Sequence, residues 1–373
     1  MATSGKLISA LSKREHADLV SVKSALSARY LGAPGPAVAV SARALRDAAD
    51  LAPRHNVVGV GVDEKYVAGV ATGVPVVKFL VRSKVPSSAL TRREMLPARV
   101  DGFETDVEET GPIVPQARKA KRRATKAGAA PAATTMPNPR LRLRPAQPGC
   151  SIGFREPDDE FIMAGTFGLL VKDNAGKKFI LSNNHVIAFE NGIHADGRRR
   201  TVLRAGAPIF QPGLLDNGNT ATDKIAELTR WVNLRADRED NLVDGAIARV
   251  MPQTAATRDI LFIGTPKGTA AARRDMVVHK FGRTTSYRAG RVSSVTFDVL
   301  VPYEVGDVMF TDQIAVRGLN GQRFSDSGDS GSAILERDTN LVVGLLFAGA
   351  TNGSLTFGNH IADVFQRLKV RLA

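Results

Sequence analysis

The chain has 373 residues, enough for two or three domains, and its 43% hydrophobic and 24% charged content is that of a soluble globular protein. No stretch approaches the ~18 consecutive apolar residues of a membrane span, MATSGKLISALSKREHADLV lacks the apolar core of a signal peptide, and the single Cys150 excludes an internal disulfide and argues against a cysteine-built metal site, which points to the cytoplasm. The formal charge is +14, but nine Lys and Arg with no Asp or Glu fall between Arg118 and Arg144, so the excess belongs to one segment and not to a folded basic face.

In chain order, residues 1–53 read as helical: LISALSKREHADLVSVKSAL, then SARALRDAADLAP with Ser41 as an N-cap, closed by Pro53. From Asn56 the apolar period becomes two. NVVGVGV and VPVVKFLVR predict a strand pair, SALTRREML a short helix, and VDGFETDVEE a further strand, giving a small α+β module over 54–111. Residues 112–148 are rich in Pro, Ala, Thr and basic side chains and predict a flexible basic linker. From 149 to 373 short alternating runs separated by Gly and Asn turns predict an all-β section, closed by a helix over 361–370 in which Ile361, Val364, Phe365 and Leu368 share a face.

Three stretches of this section carry chemistry. FILSNNHVIA delivers His185 at the end of an apolar run, NLVDGAIARV buries Asp244 among apolar residues, and GDSGSA presents Ser330 between glycines. A serine hydroxyl needs an adjacent base, an imidazole titrates near working pH, and a buried carboxylate fixes the imidazole tautomer. Loose backbone around Ser330 lets the N–H groups of Gly328 and Ser330 converge on one point, as an oxyanion hole requires. Asp223, in TDKIAEL, is the alternative carboxylate, with a turn residue as its ordinary role. His16, His55, His194, His279 and His360 lack metal-ligand spacing, and Gly59 and Gly61 precede no helix that would make a phosphate loop.

In these motifs the section from about Gly149 onward resembles a trypsin-like serine peptidase of the chymotrypsin fold. LSNNHVI is similar to the histidine motif of bacterial members, GDSGSA to the nucleophile motif, VVGLLFAG to the strand walling the specificity pocket, and HKFGRTTSYRAGRV to the strand opening the second barrel. With the N-terminal module attached, the chain resembles uncharacterised bacterial cytoplasmic members and, more loosely, the plant Narrow-leaf peptidase. The resemblance implies a mainly β fold of two packed six-stranded-type antiparallel barrels, about 150–250 and 275–360. It further implies His185 as general base, Asp244 as its orienter, Ser330 as nucleophile, and Gly328 and Ser330 as oxyanion donors. No cofactor and no metal is implied, and the partner is a protein or peptide substrate.

The resemblance also sets Phe324 at the base of the primary pocket with Phe347, Ala348 and Gly349 along its wall, which predicts small or medium apolar side chains at the cleaved position. No Ile-Val-Gly-Gly terminus is present to supply an activating ammonium for Asp329. Two other readings compete: an inactive barrel pair used as a binding module, and a nucleic-acid-associated protein acting through the basic linker, which lacks aromatic stacking residues. A further expectation is that the N-terminal sections regulate the barrels and that cleavage within 115–145 loosens them.

Overall fold

The computed structural model describes residues 7–32, 53–67, 70–121, 136–157 and 161–373. SARALRDAADLAP, with its N-cap at Ser41, lies outside the described residues apart from its final Pro53. Helix α1 (Lys13–Tyr30) opens on a capping box. Ser12 Oγ accepts from Glu15 N at 3.2 Å and the Glu15 carboxylate accepts from Ser12 N at 2.8 Å.

The alternating NVVGVGV and VPVVKFLV runs form the antiparallel pair β1 (Val57–Val67) and β2 (Val70–Val81), and β3 (Phe103–Glu109) adds parallel to β2. SALTRREML supplies only a 3-10 turn, Ser87–Ala89. Leu19, Val22 and Leu26 of α1 share an apolar core with Val60, Val62, Val77 and Phe79. Two short strands follow inside the expected linker: β4 (Ile113–Pro115) and β5 (Arg118–Lys121). Neither builds a core of its own; each takes its hydrogen bonds from the β-rich section.

The first β-rich layer is made by β6 (Ser151–Phe154), β7 (Phe161–Thr166), β8 (Leu169–Lys172), β9 (Lys178–Ser182), β10 (Pro208–Phe210), β11 (Lys224–Trp231) and β12 (Ala246–Val250). They hydrogen-bond in the order β8-β9-β12-β11-β10-β6-β7, with β5 on the edge beside β7. Ile152, Leu169, Val171, Leu181, Ile209, Ile225 and Ala248 bury into one shared core, so the sheet wraps around it as a partly closed barrel.

The second layer closes fully. It comprises β13 (Val277–Gly282), β14 (Ser286–Tyr303), β15 (Gly306–Gly318), β16 (Ala333–Glu336), β17 (Leu341–Ala350) and β18 (Thr356–His360). Their order is β13-β16-β17-β18-β15-β14, and β14 returns to β13 to complete a six-stranded antiparallel barrel. The fold class is thus mainly β with two antiparallel barrels, as expected. Helix α2 (Ile361–Leu368) buries Ile361, Val364 and Leu368, and among the described residues no helix is long and apolar enough to cross a membrane.

The α+β module is not a free appendage. β1 pairs with β14 at Gly59↔Val299 and Val60↔Asp298, so the module's strands extend the second barrel's sheet. Lys23 of α1 adds a buried ion pair, its Nζ 2.9 Å from Asp298. The basic stretch is also partly docked. Arg142 Nε lies 2.7 Å from Asp223 Oδ1, and Arg144 reaches the same carboxylate at 3.4 Å.

Candidate active site

Three segments carry the expected site residues, and two of them meet directly. β9 runs into a single helical turn, Asn184–Ile187, whose His185 is buried at 1% exposure. Just before β12 the chain places Asp244, fully buried, against it: His185 Nδ1 is hydrogen-bonded to Asp244 Oδ2, and His185 N donates to Asp244 Oδ1 at 3.2 Å. Burying a carboxylate is costly unless its oxygens are satisfied. Here Tyr303 Oη donates to Oδ2 at 2.8 Å. The backbone on either side is pinned as well, since Asn183 Nδ2 donates to Asp244 O at 2.7 Å and Asp244 N donates to Asn359 Oδ1 at 3.0 Å. Burial, with the Asp244 charge beside it, pushes the Tyr303 phenol well above its ordinary value and keeps it a donor.

Asp223 lies apart from this group. Its carboxylate is taken by Arg142, Arg144 and Asn219 N, which makes it an anchor for the basic stretch.

Ser330 sits in the turn between β15 and β16, flanked by Gly328 at φ +104° and Gly331 at φ +92°, a region that favours glycine. A Cβ on Gly331 would fall 2.2 Å from Ser182 Oγ and 2.3 Å from Thr166 O, so the first barrel leaves no room for one. Thr166 ties the turn down from that side. Its N–H donates to Ser330 O at 2.8 Å and its hydroxyl to Gly328 O at 3.0 Å. From the other side Lys280 Nζ, fully buried, lies 2.9 Å from the equally buried Asp329. Asp329 also accepts from Thr284 N, Thr285 N, Thr285 Oγ1 and Asp326 N. Burial raises the Asp329 pKa, but Lys280 and these hydrogen bonds outweigh it and hold the carboxyl below its ordinary 3.8. An internal ammonium thus meets Asp329, the residue for which the sequence offered no terminal one.

The N–H groups of Gly328 and Ser330 do converge, and they converge on a carbonyl of the chain itself. Gly328 N donates to Gln116 O at 2.5 Å and Ser330 N to the same oxygen at 3.2 Å. Gln116 N donates to Phe347 O at 3.1 Å, and Ser330 Oγ donates to that same oxygen at 3.0 Å. His185 Nε2 has no hydrogen-bond partner among the described residues. The serine hydroxyl is therefore turned toward β17.

The expected pocket residues are distributed as follows. Phe324, 1% exposed, packs in an apolar cluster with Val292, Val316, Ile334 and Leu346. The Phe347 ring belongs to another cluster, with Phe310 and Phe357, and its carbonyl is the part that faces Gln116. Ala348 pairs with Pro115 and Gly349 with Val114. A Cβ on Gly349 would lie 2.0 Å from Gln116 Nε2, so the glutamine amide lies directly against this glycine. Thr356, opposite Gly349 in the β17–β18 register, bonds Ser325 through their buried hydroxyls at 2.5 Å.

Sequence reading did not find Gln116, Thr166, Lys280, Tyr303 or Asn359. Only Lys280 carried a local signal, a lysine inside the apolar alternation DMVVHKFG; the others meet the site through partners 59 to 231 residues away, which no local pattern encodes.

No family model matches the chain, and no curated protein matches it. Solved structures to which it is similar include a Nocardiopsis protease, at 14% identity and a TM-score of 0.41, covering 61% of this chain and 99% of that one. A glutamic acid-specific serine protease that uses a histidine triad in substrate binding matches at 14% identity and 0.42, covering 61% and 100%. Protease A of Thermobifida fusca matches at 16% identity and 0.40, covering 61% and 99%. The architecture of this chain is a closed six-stranded antiparallel barrel beside a partly closed one, with His185 and Asp244 in direct contact and Ser330 in the β15–β16 turn.

Proposed function

We propose that the protein is a serine endopeptidase that hydrolyses protein or peptide substrates through an acyl-enzyme on Ser330. The observation that carries this is the convergence of Gly328 N and Ser330 N on one peptide carbonyl oxygen, in a chain that also buries a His185–Asp244 pair. Donors aimed at a carbonyl oxygen stabilise the charge that develops there during acyl transfer. In the assigned roles His185 takes the Ser330 proton and returns it to the leaving amine. Asp244 fixes the tautomer that leaves Nε2 free to do so, and Tyr303 steadies Asp244.

The rival reading is a barrel pair that binds peptides without cutting them. It is favoured by the Ser330 hydroxyl pointing to Phe347 O instead of the imidazole. The docked Arg142 and Arg144 leave the nucleic-acid reading without support from this end of the basic stretch. A single cysteine can form no internal disulfide, and we assign the protein to the cytoplasm on that ground.

Hydrolysis of a peptide library by Gln116→Pro, a variant that loses the N–H bonded to Phe347 O and so frees the cleft, tests the assignment. Turnover that disappears when Ser330→Ala is added supports it. Retention of peptides without cleavage means a binding module.

A further inference from the structure

The Gln116 carbonyl oxygen is held by both Gly328 N and Ser330 N, as an oxyanion hole would hold a substrate carbonyl, and we propose that the protein cuts the Gln116–Ala117 bond of its own chain, in cis. This inference rests on the serine-peptidase reading and names that site's first substrate.

Both sides of the bond are held as extended strands, one by each barrel. Before it, Ile113, Val114 and Pro115 pair antiparallel with Ala350, Gly349 and Ala348 of β17. After it, β5 pairs antiparallel with β7, Arg118 opposite Ala164. Strand addition of this kind uses main-chain hydrogen bonds for grip and side-chain pockets for register. Register here is fixed by Ile113, fully buried among Phe347, Phe357 and Leu80, and by the Gln116 amide against Gly349. Gln116 puts its carbonyl oxygen on both Gly328 N and Ser330 N, and its own N–H is anchored to Phe347 O. A bond tethered in this geometry reacts without the entropic cost of capture.

The step balances with water as the one co-reactant. Ser330 Oγ attacks the Gln116 carbonyl carbon while its proton passes to His185 Nε2. The C–N bond to Ala117 breaks as His185 returns that proton to the departing nitrogen, leaving Gln116 as an ester on Ser330. Water, deprotonated by His185, then attacks the ester. Ser330 regains its proton and Gln116 becomes a carboxylate. The two pieces, 1–116 and 117–373, stay associated, because β1 remains paired with β14 and Lys23 with Asp298.

Intact-mass measurement under denaturing conditions tests this on the full chain. Wild type is expected to separate into 1–116 and 117–373 with a half-time unchanged by dilution, while Ser330→Ala stays whole. Gln116→Pro, which lacks the N–H bonded to Phe347, is expected to stay whole yet to react with a fluorophosphonate at Ser330. Wild type that stays whole, or is cut at another bond, overturns self-cleavage. If Gln116→Pro is labelled in that case, the serine-peptidase reading survives and only the self-cleavage is wrong. If it is not labelled, both fall.

Discussion

The two halves of the site are held by different physics. His185 is presented through a set of hydrogen bonds around Asp244: Asn183 of the first barrel on its carbonyl, and from the second barrel Tyr303 Oη on Oδ2 and Asn359 on its N–H. Ser330 is presented beside a buried ion pair, Lys280–Asp329, both side chains fully buried. Hydrogen bonds are individually modest, whereas a buried charge pair is costly to break from either side. The base is thus held by hydrogen bonds around Asp244, and the nucleophile turn by hydrogen bonds from Thr166 together with one buried charge pair. The two halves should fail differently.

The largest expected effect falls on the groups the halves deliver. Ser330→Ala and His185→Ala should each lower hydrolysis by about 10⁶, and the double variant hardly further, because the pair acts as a unit. Additive losses in the double variant would separate them. Next comes the carboxylate. Asp244→Asn should cost about 10⁴ in kcat by favouring the wrong imidazole tautomer, while Asp223→Asn, which touches only Arg142, Arg144 and Asn219, should leave kcat near wild type. The reverse ranking would move the third role to Asp223.

Lys280→Met strands the Asp329 charge and should destabilise the chain by about 3–5 kcal/mol in denaturant unfolding. The same pair predicts the acid limit. The folded pKa of Asp329 lies below its ordinary 3.8, so its contribution is full above that value and is lost as the pH falls through the lowered one. Melting curves of Asp329→Asn should therefore be flatter than wild type in that acid window; parallel curves would remove the pair from the account. The smallest effect belongs to the other half. Tyr303→Phe leaves one Asp244 oxygen short of a donor, and should cost about 1–3 kcal/mol in stability while retaining most of kcat.

This contrast also marks what was legible in the sequence. His185, Asp244 and Ser330 each end or begin an apolar run, so burial and local backbone chemistry announced them, and the structure pairs His185 with Asp244. The barrels were legible for the same reason, since alternation at short spacing is a local signal. What escaped was non-local. Residues 112–148 read as a linker because basic and small residues build no core, yet Ile113–Gln116 needs none: it borrows the pairing edge of β17 and the apolar cluster around Phe347. The polar occupant of the cleft was hidden likewise, because Gln116 meets Gly349 across 233 residues of sequence.

The central claim is that Ser330 is the nucleophile and His185 its base, and fluorophosphonate labelling of Gln116→Pro mapped by peptide mass tests it most directly. The account predicts modification on Ser330 that is lost when His185→Ala is added. A label on another serine, or labelling of Ser330 that survives without His185, would contradict it.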